Sequence, residues 1–82
     1  MMETKMSIND EIKQAEIQFG KNVRKVRQLM GESQENLGAT IRLTGAMISM
    51  VERGTRSMSF PTAYKICKAL DTDMSEMLKD WE

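Results

Sequence analysis

At 82 residues, with 40% hydrophobic and 29% charged side chains and a formal net charge of zero, the chain is one small globular domain with no charge excess to name a partner. Cys67 is the single cysteine and histidine is absent, which excludes a disulfide scaffold, a Cys/His zinc site and histidine acid–base chemistry. Aromatic content of 5% excludes a base-stacking platform, and five Gly with one Pro are too few for a turn-rich all-β fold. No apolar run approaches the roughly 20 residues that span a bilayer, and residues 1–10 lack an apolar secretory core, so the expectation is a soluble cytoplasmic protein.

Helical spacing of apolar residues runs through almost the whole chain. Ile8, Ile12, Ala15, Phe19, Val23, Val26 and Met30 recur every three or four positions and predict one face of a long first helix. Ser7 or Asn9 caps it, with Asp10 and Glu11 in the first turn, where the helix dipole favours acid. Gly20 lies inside this pattern at a cost of about 1 kcal/mol relative to Ala. It divides the reading in two: residues 1–18 are either an extension of the helix or a separate arm. Gly31 is the expected stop.

Ser33 opens a second helix, in which Leu37 and Ile41 stand one turn apart, and Leu43-Thr44-Gly45 interrupts it. Thr44 caps a third helix that turns Ile48 and Val51 inward and ends at Gly54. A polar loop over 54–59 follows. Ser59 caps a fourth helix with Pro61 in its first turn, where the missing N–H is harmless, and with Phe60, Ala63, Ile66, Cys67 and Leu70 on its apolar side. Asp73 and Glu76 form a capping pattern for a short fifth helix carrying Met77 and Leu78. No strand alternation and no repeat is found, so the expected fold is all-α, five helices around one core.

Charge is zoned along these elements. Residues 1–19 carry a net −2, residues 20–60 a net +4 and residues 61–82 a net −2. A basic middle between acidic ends suits a local contact with a polyanion, although chance clustering on a solvated helical surface gives the same numbers. The second and third helices lie in that basic middle. If they cross steeply, Leu37, Ile41, Ile48 and Val51 share one core, which is the helix-turn-helix layout. In that layout the first helix of the pair crosses the DNA backbone and the second lies in the major groove.

Ser33-Gln34-Glu35-Asn36-Leu37-Gly38 followed by Ile48-Ser49-Met50-Val51-Glu52-Arg53-Gly54 resembles the Cro/phage-repressor (Xre-type) helix-turn-helix family. Phe19-Gly20 with Val23, Arg24, Val26 and Arg27 before the motif, and the stretch from Ile66 to Leu78 after it, match the flanks. The resemblance covers residues 19–79, leaving 80–82 as a tail. It implies a lambda-repressor-like five-helix domain, binding to a double-stranded DNA operator, and a homodimer. It also implies roles for particular residues: Gln34 on a phosphate; Thr44, Gly45, Ala46, Ser49 and Met50 on the groove-facing side of the third helix; Arg53 and Arg56 near backbone phosphates. Arg27 and Glu52 match a structural pair that ties the first helix to the third.

The chain also departs from the family pattern. Arg42 occupies the turn position where a glycine is usual, at a cost of about 1–2 kcal/mol if the backbone there is left-handed. Gly38 replaces a small alanine. Gly45 and Ala46 stand where relatives often place amide or basic side chains, so bidentate base readers are missing. Thr44, Ala46 and Met50 offer apolar contact to thymine methyls, and DNA shape or operator symmetry would supply the remaining preference. Met47 is expected half-buried, the nine Met as core filler, Cys67 as an inert buried thiol, and Lys21, Arg24 and Lys25 as a solvated face. Trp81 is either a packing cap or part of a dimer surface.

Two functions compete. One is a sequence-specific DNA-binding transcriptional regulator, a repressor acting as a homodimer. The other is the same fold used as a protein-interaction module, namely an antitoxin, antirepressor or adaptor, which the apolar Gly45/Ala46/Met47/Met50 surface motivates. No nucleophile–base pair, metal cluster or cofactor motif stands at a workable spacing, so an enzyme is not expected.

Overall fold

The computed structural model describes residues 6–81. Five helices follow in order: α1 (Ile8–Leu29), α2 (Gln34–Thr40), α3 (Gly45–Arg53), α4 (Phe60–Ala69) and α5 (Met74–Met77). Each begins at a side chain that accepts a hydrogen bond from an otherwise unpaired helix N–H. Ser7, Ser33, Thr44, Ser59 and Asp73 receive the N–H of Asp10, Asn36, Met47, Thr62 and Glu76 in turn. Of the two caps open to α1, Ser7 is used.

Gly20 does not break α1. The helix runs through it for 22 residues, about 33 Å at 1.5 Å per residue. A Cβ at Gly20 would lie 2.1 Å from the Val51 carbonyl oxygen and 3.0 Å from that of Glu52. Gly20 is therefore the point where the backbones of α1 and α3 meet, and the residue is small because there is no room for a side chain.

The core consists of Phe19 and Val23 from α1, Leu37 and Ile41 around α2, Ile48 and Val51 from α3, Ala63, Ile66, Cys67 and Leu70 around α4, and Met77 from α5. Asn22 is buried beside them. Its Nδ2 donates to the carbonyls of Met77 and Lys79, both at 2.8 Å, and this fastens α5 to α1.

Several residues expected on apolar faces are not covered. Ile8 is 72% exposed, Ile12 51% and Phe60 69%, and Met30 and Leu78 are also exposed. The spacing that placed Ile8 and Ile12 on the stripe of Phe19 and Val23 is correct as helix geometry. The stripe outruns the body it packs against, which gives the molecule a long dimension of 50 Å against 22 and 18 Å.

The projecting part of α1 is not free along its whole length. Lys13 Nζ donates to the Gly54 carbonyl at 2.8 Å, and Ile17 lies against Gly54 so closely that a Cβ there would sit 2.9 Å from Ile17 Cγ1. Gly54 itself ends α3 in the left-handed conformation, φ 69°. At the turn after α2, Arg42 has φ 63°, so the chain holds an arginine in the strained conformation that the position demands. None of the described helices is long and apolar enough to cross a membrane.

Candidate nucleic-acid interface

The inner face of α3 is buried through Ile48, Val51 and Glu52, which leaves Thr44, Ala46 and Arg53 exposed and Gly45, Met47, Ser49 and Met50 half-buried. The N-terminal turn of α3 stands beside that of α2. Between them runs an open groove of about 540 Å³, lined by Ser33, Gln34, Glu35, Thr44, Gly45, Ala46 and Ser49. Five expected contact residues (Gln34, Thr44, Gly45, Ala46 and Ser49) therefore share one surface. Met50 and Arg53 continue it along α3. Arg56 lies outside the groove, exposed in the loop after α3.

The orientation of α3 is set from behind by a buried charge. Glu52 accepts from Arg27 Nε at 2.5 Å and Nη2 at 3.0 Å, and from Gln34 Nε2 at 3.0 Å. The third Arg27 nitrogen, Nη1, donates to the Glu32 carbonyl at 2.8 Å. One carboxylate thus ties α1, α2 and α3 together. Hydrogen bonding to Glu52 raises the Arg27 guanidinium above its ordinary pKa against the opposing effect of burial. Gln34 faces the groove with an amide already engaged by Glu52, a partner that the sequence did not indicate.

Two further contacts shape the outer face. The Thr44 hydroxyl accepts from Met47 N at 3.1 Å as the cap, which leaves its O–H donor and its methyl for a partner. Arg53 Nη1 donates to Ser49 Oγ at 2.7 Å, which lays the guanidinium back along the exposed side of α3.

Glu35 was not among the expected site residues. Its Cγ would lie 2.8 Å from a Cβ on Gly45, and its Cα 3.3 Å away. The missing side chain at Gly45 therefore has a local cause, because Glu35 fills the space. Nothing local in the sequence marks this contact, which crosses from one helix start to the other.

This geometry belongs to a known class. Residues 23–77 match the model of the helix-turn-helix family. Over 55 residues the chain is 36% identical to the uncharacterized HTH-type transcriptional regulator YgzD of Bacillus subtilis, covering 67% of this chain and 83% of that one. The fold is similar to the crystal structure of the restriction-modification controller protein C.AhdI from Aeromonas hydrophila, with a TM-score of 0.73 and 32% identity, covering 79% of this chain and 94% of that one. With the two capped helices, the tight turn at Arg42 and the outward face of α3 already in place, the chain belongs to the Xre-type helix-turn-helix family of DNA-binding transcriptional regulators.

Proposed function

We propose that the protein is a sequence-specific regulator that binds a double-stranded DNA operator as a homodimer and represses transcription in the cytoplasm. The observation that carries this reading is the outward N-terminal half of α3, with Thr44, Ala46 and Ser49 on the wall of an open groove, inside the segment of net charge +4. α3 enters the major groove, where Thr44 and Ala46 with Met50 meet thymine methyls and Ser49 bonds a base edge or phosphate. Gln34, Arg53 and Arg56 meet backbone phosphates and set the register without reading sequence. Residues 19–79 form the DNA-binding unit, and residues 8–18 extend its first helix.

With no bidentate reader at Gly45 or Ala46, preference comes from methyl contacts, from DNA shape and from the spacing of two half-sites about one helical turn apart. Selection of bound fragments from a random DNA pool tests this. The expected product is a two-fold symmetric, thymine-containing motif. A pool without enrichment overturns the operator reading in favour of a protein partner for α3.

A further inference from the structure

The projecting part of α1 has a defined chemistry. At 100° per residue, Ile8, Ile12 and Ala15 form one bare stripe, with Glu11 along one edge and Glu16 along the other. Lys13 and Ile17 lie on the opposite side, toward Gly54. The exposed side of this segment is thus an aliphatic ridge between two carboxylates.

A matching surface lies elsewhere on the molecule. Between the end of α2 and the outer side of α4 is an open, mainly apolar groove of about 490 Å³, lined by Thr40, Ile41, Arg42, Tyr64, Lys65, Lys68 and Ala69. Its three charged residues are all cations and its lining holds no carboxylate. Tyr64 is half exposed, Lys68 Nζ sits 6.0 Å above its ring, and Phe60 extends the apolar wall with its ring 6.1 Å from that of Tyr64.

We propose that the N-terminal segment of α1 docks into the α2/α4 groove of a second copy of this chain. Ile8 and Ile12 enter the apolar floor, and Glu11 and Glu16 meet Arg42, Lys65 and Lys68 at its rim. The geometry is that of an amphipathic helix in a groove, read through apolar anchors one turn apart. The segment does not reach the groove of its own chain, because α1 is unbroken to Leu29 and Lys13 holds it against the end of α3. Reciprocal use of the two surfaces closes a two-fold pair. The inference rests on the two-copy part of the proposed function and names the surfaces that make it.

Sedimentation equilibrium on the full chain tests it, with Glu11→Lys/Glu16→Lys, Lys65→Glu/Lys68→Glu and the four substitutions combined. Glu11, Lys65 and Lys68 are exposed and Glu16 is half-buried, so thermal melts should stay within a few degrees of wild type. Each reversed pair places like charges together and should weaken self-association by about 30-fold or more, while the combined variant regains it. A wild-type dimer unmoved by either reversal, or a combined variant that stays monomeric, overturns the docking and leaves a two-copy regulator standing on other surfaces. A wild-type chain that is monomeric throughout overturns the docking and the homodimer together, whereas binding of α3 to a single half-site is read separately by gel shift.

Discussion

Arg27 and Glu52 are 25 residues apart in the chain and are joined by two parallel hydrogen bonds in a site where each side chain is at least nine-tenths covered. Planar bidentate geometry of this kind is the strong form of an ion pair. Its consequence is asymmetric. Removing Glu52 leaves a guanidinium buried without its partner, and Glu52→Ala should cost about 3–5 kcal/mol in urea unfolding. Replacing both residues by apolar ones of similar volume, as in R27M/E52L, should cost much less, since neither charge then needs solvation.

Gly20→Ala separates helix propensity from packing. In an isolated helix the change is worth about 1 kcal/mol in favour of Ala. Here the added methyl meets the Val51 carbonyl, so we expect a loss of about 1–3 kcal/mol by denaturant unfolding. A peptide covering residues 8–29 should instead gain helicity by circular dichroism.

Gly45 and Glu35 should be coupled. Gly45→Ala alone forces the Glu35 side chain aside, at a cost of about 1 kcal/mol. In the Glu35→Ala background much of that cost should vanish, and a double-mutant cycle should return an interaction energy of about 0.5 kcal/mol or more.

Arg56→Ala should weaken binding to every DNA sequence alike and lower the slope of log affinity against log salt by about one unit, as expected for loss of one phosphate contact. Fluorescence anisotropy on a selected site and a scrambled one gives both numbers. Ala46→Glu should abolish binding to both sites while leaving the melting curve in place, because Ala46 is exposed and a carboxylate there faces the phosphates.

Burial, with a smaller contribution from Asp73, pushes the Cys67 thiol above its ordinary pKa. The folded chain therefore holds this proton more tightly than the unfolded chain. The associated stability is complete below about pH 8.5 and declines as pH rises through that value toward the folded-state pKa. Urea midpoints measured from neutral to alkaline pH should show the decline, and Cys67→Ala should flatten it. At neutral pH an alkylating reagent should react only through opened molecules, far more slowly than with the unfolded chain.

Local chemistry was plain in the sequence and distant packing was not. Ser33, Thr44, Ser59 and Asp73 announced their helices because a cap is written in adjacent residues. The motif marks Arg42 as the place of a usual glycine and so raises a left-handed turn as a condition, which φ 63° meets. Gly20 was ambiguous, since a glycine that breaks a helix and one that lets two backbones touch look alike until the second backbone, at Val51, is in place. Ile8, Ile12 and Phe60 kept the right period on the wrong side of a boundary: periodicity fixes the direction of a side chain but not how far the rest of the molecule extends. Within the candidate interface, the meeting of Gln34, Thr44, Ala46 and Ser49 was legible from the motif. The bond from Gln34 to Glu52 and the filling of the Gly45 space by Glu35 are contacts across helices and left no local mark.

The hydrogen bond from Lys13 to the Gly54 carbonyl makes the rear of α3 answerable to the front of α1. A positive charge at the last carbonyls of a helix complements its dipole, and here that charge is delivered by a segment that is otherwise mostly in solvent. Anything that grips or bends those leading turns also pulls on the terminus of α3, so a lysine side chain acts as a tether between the most remote end of the molecule and its outward-facing rod.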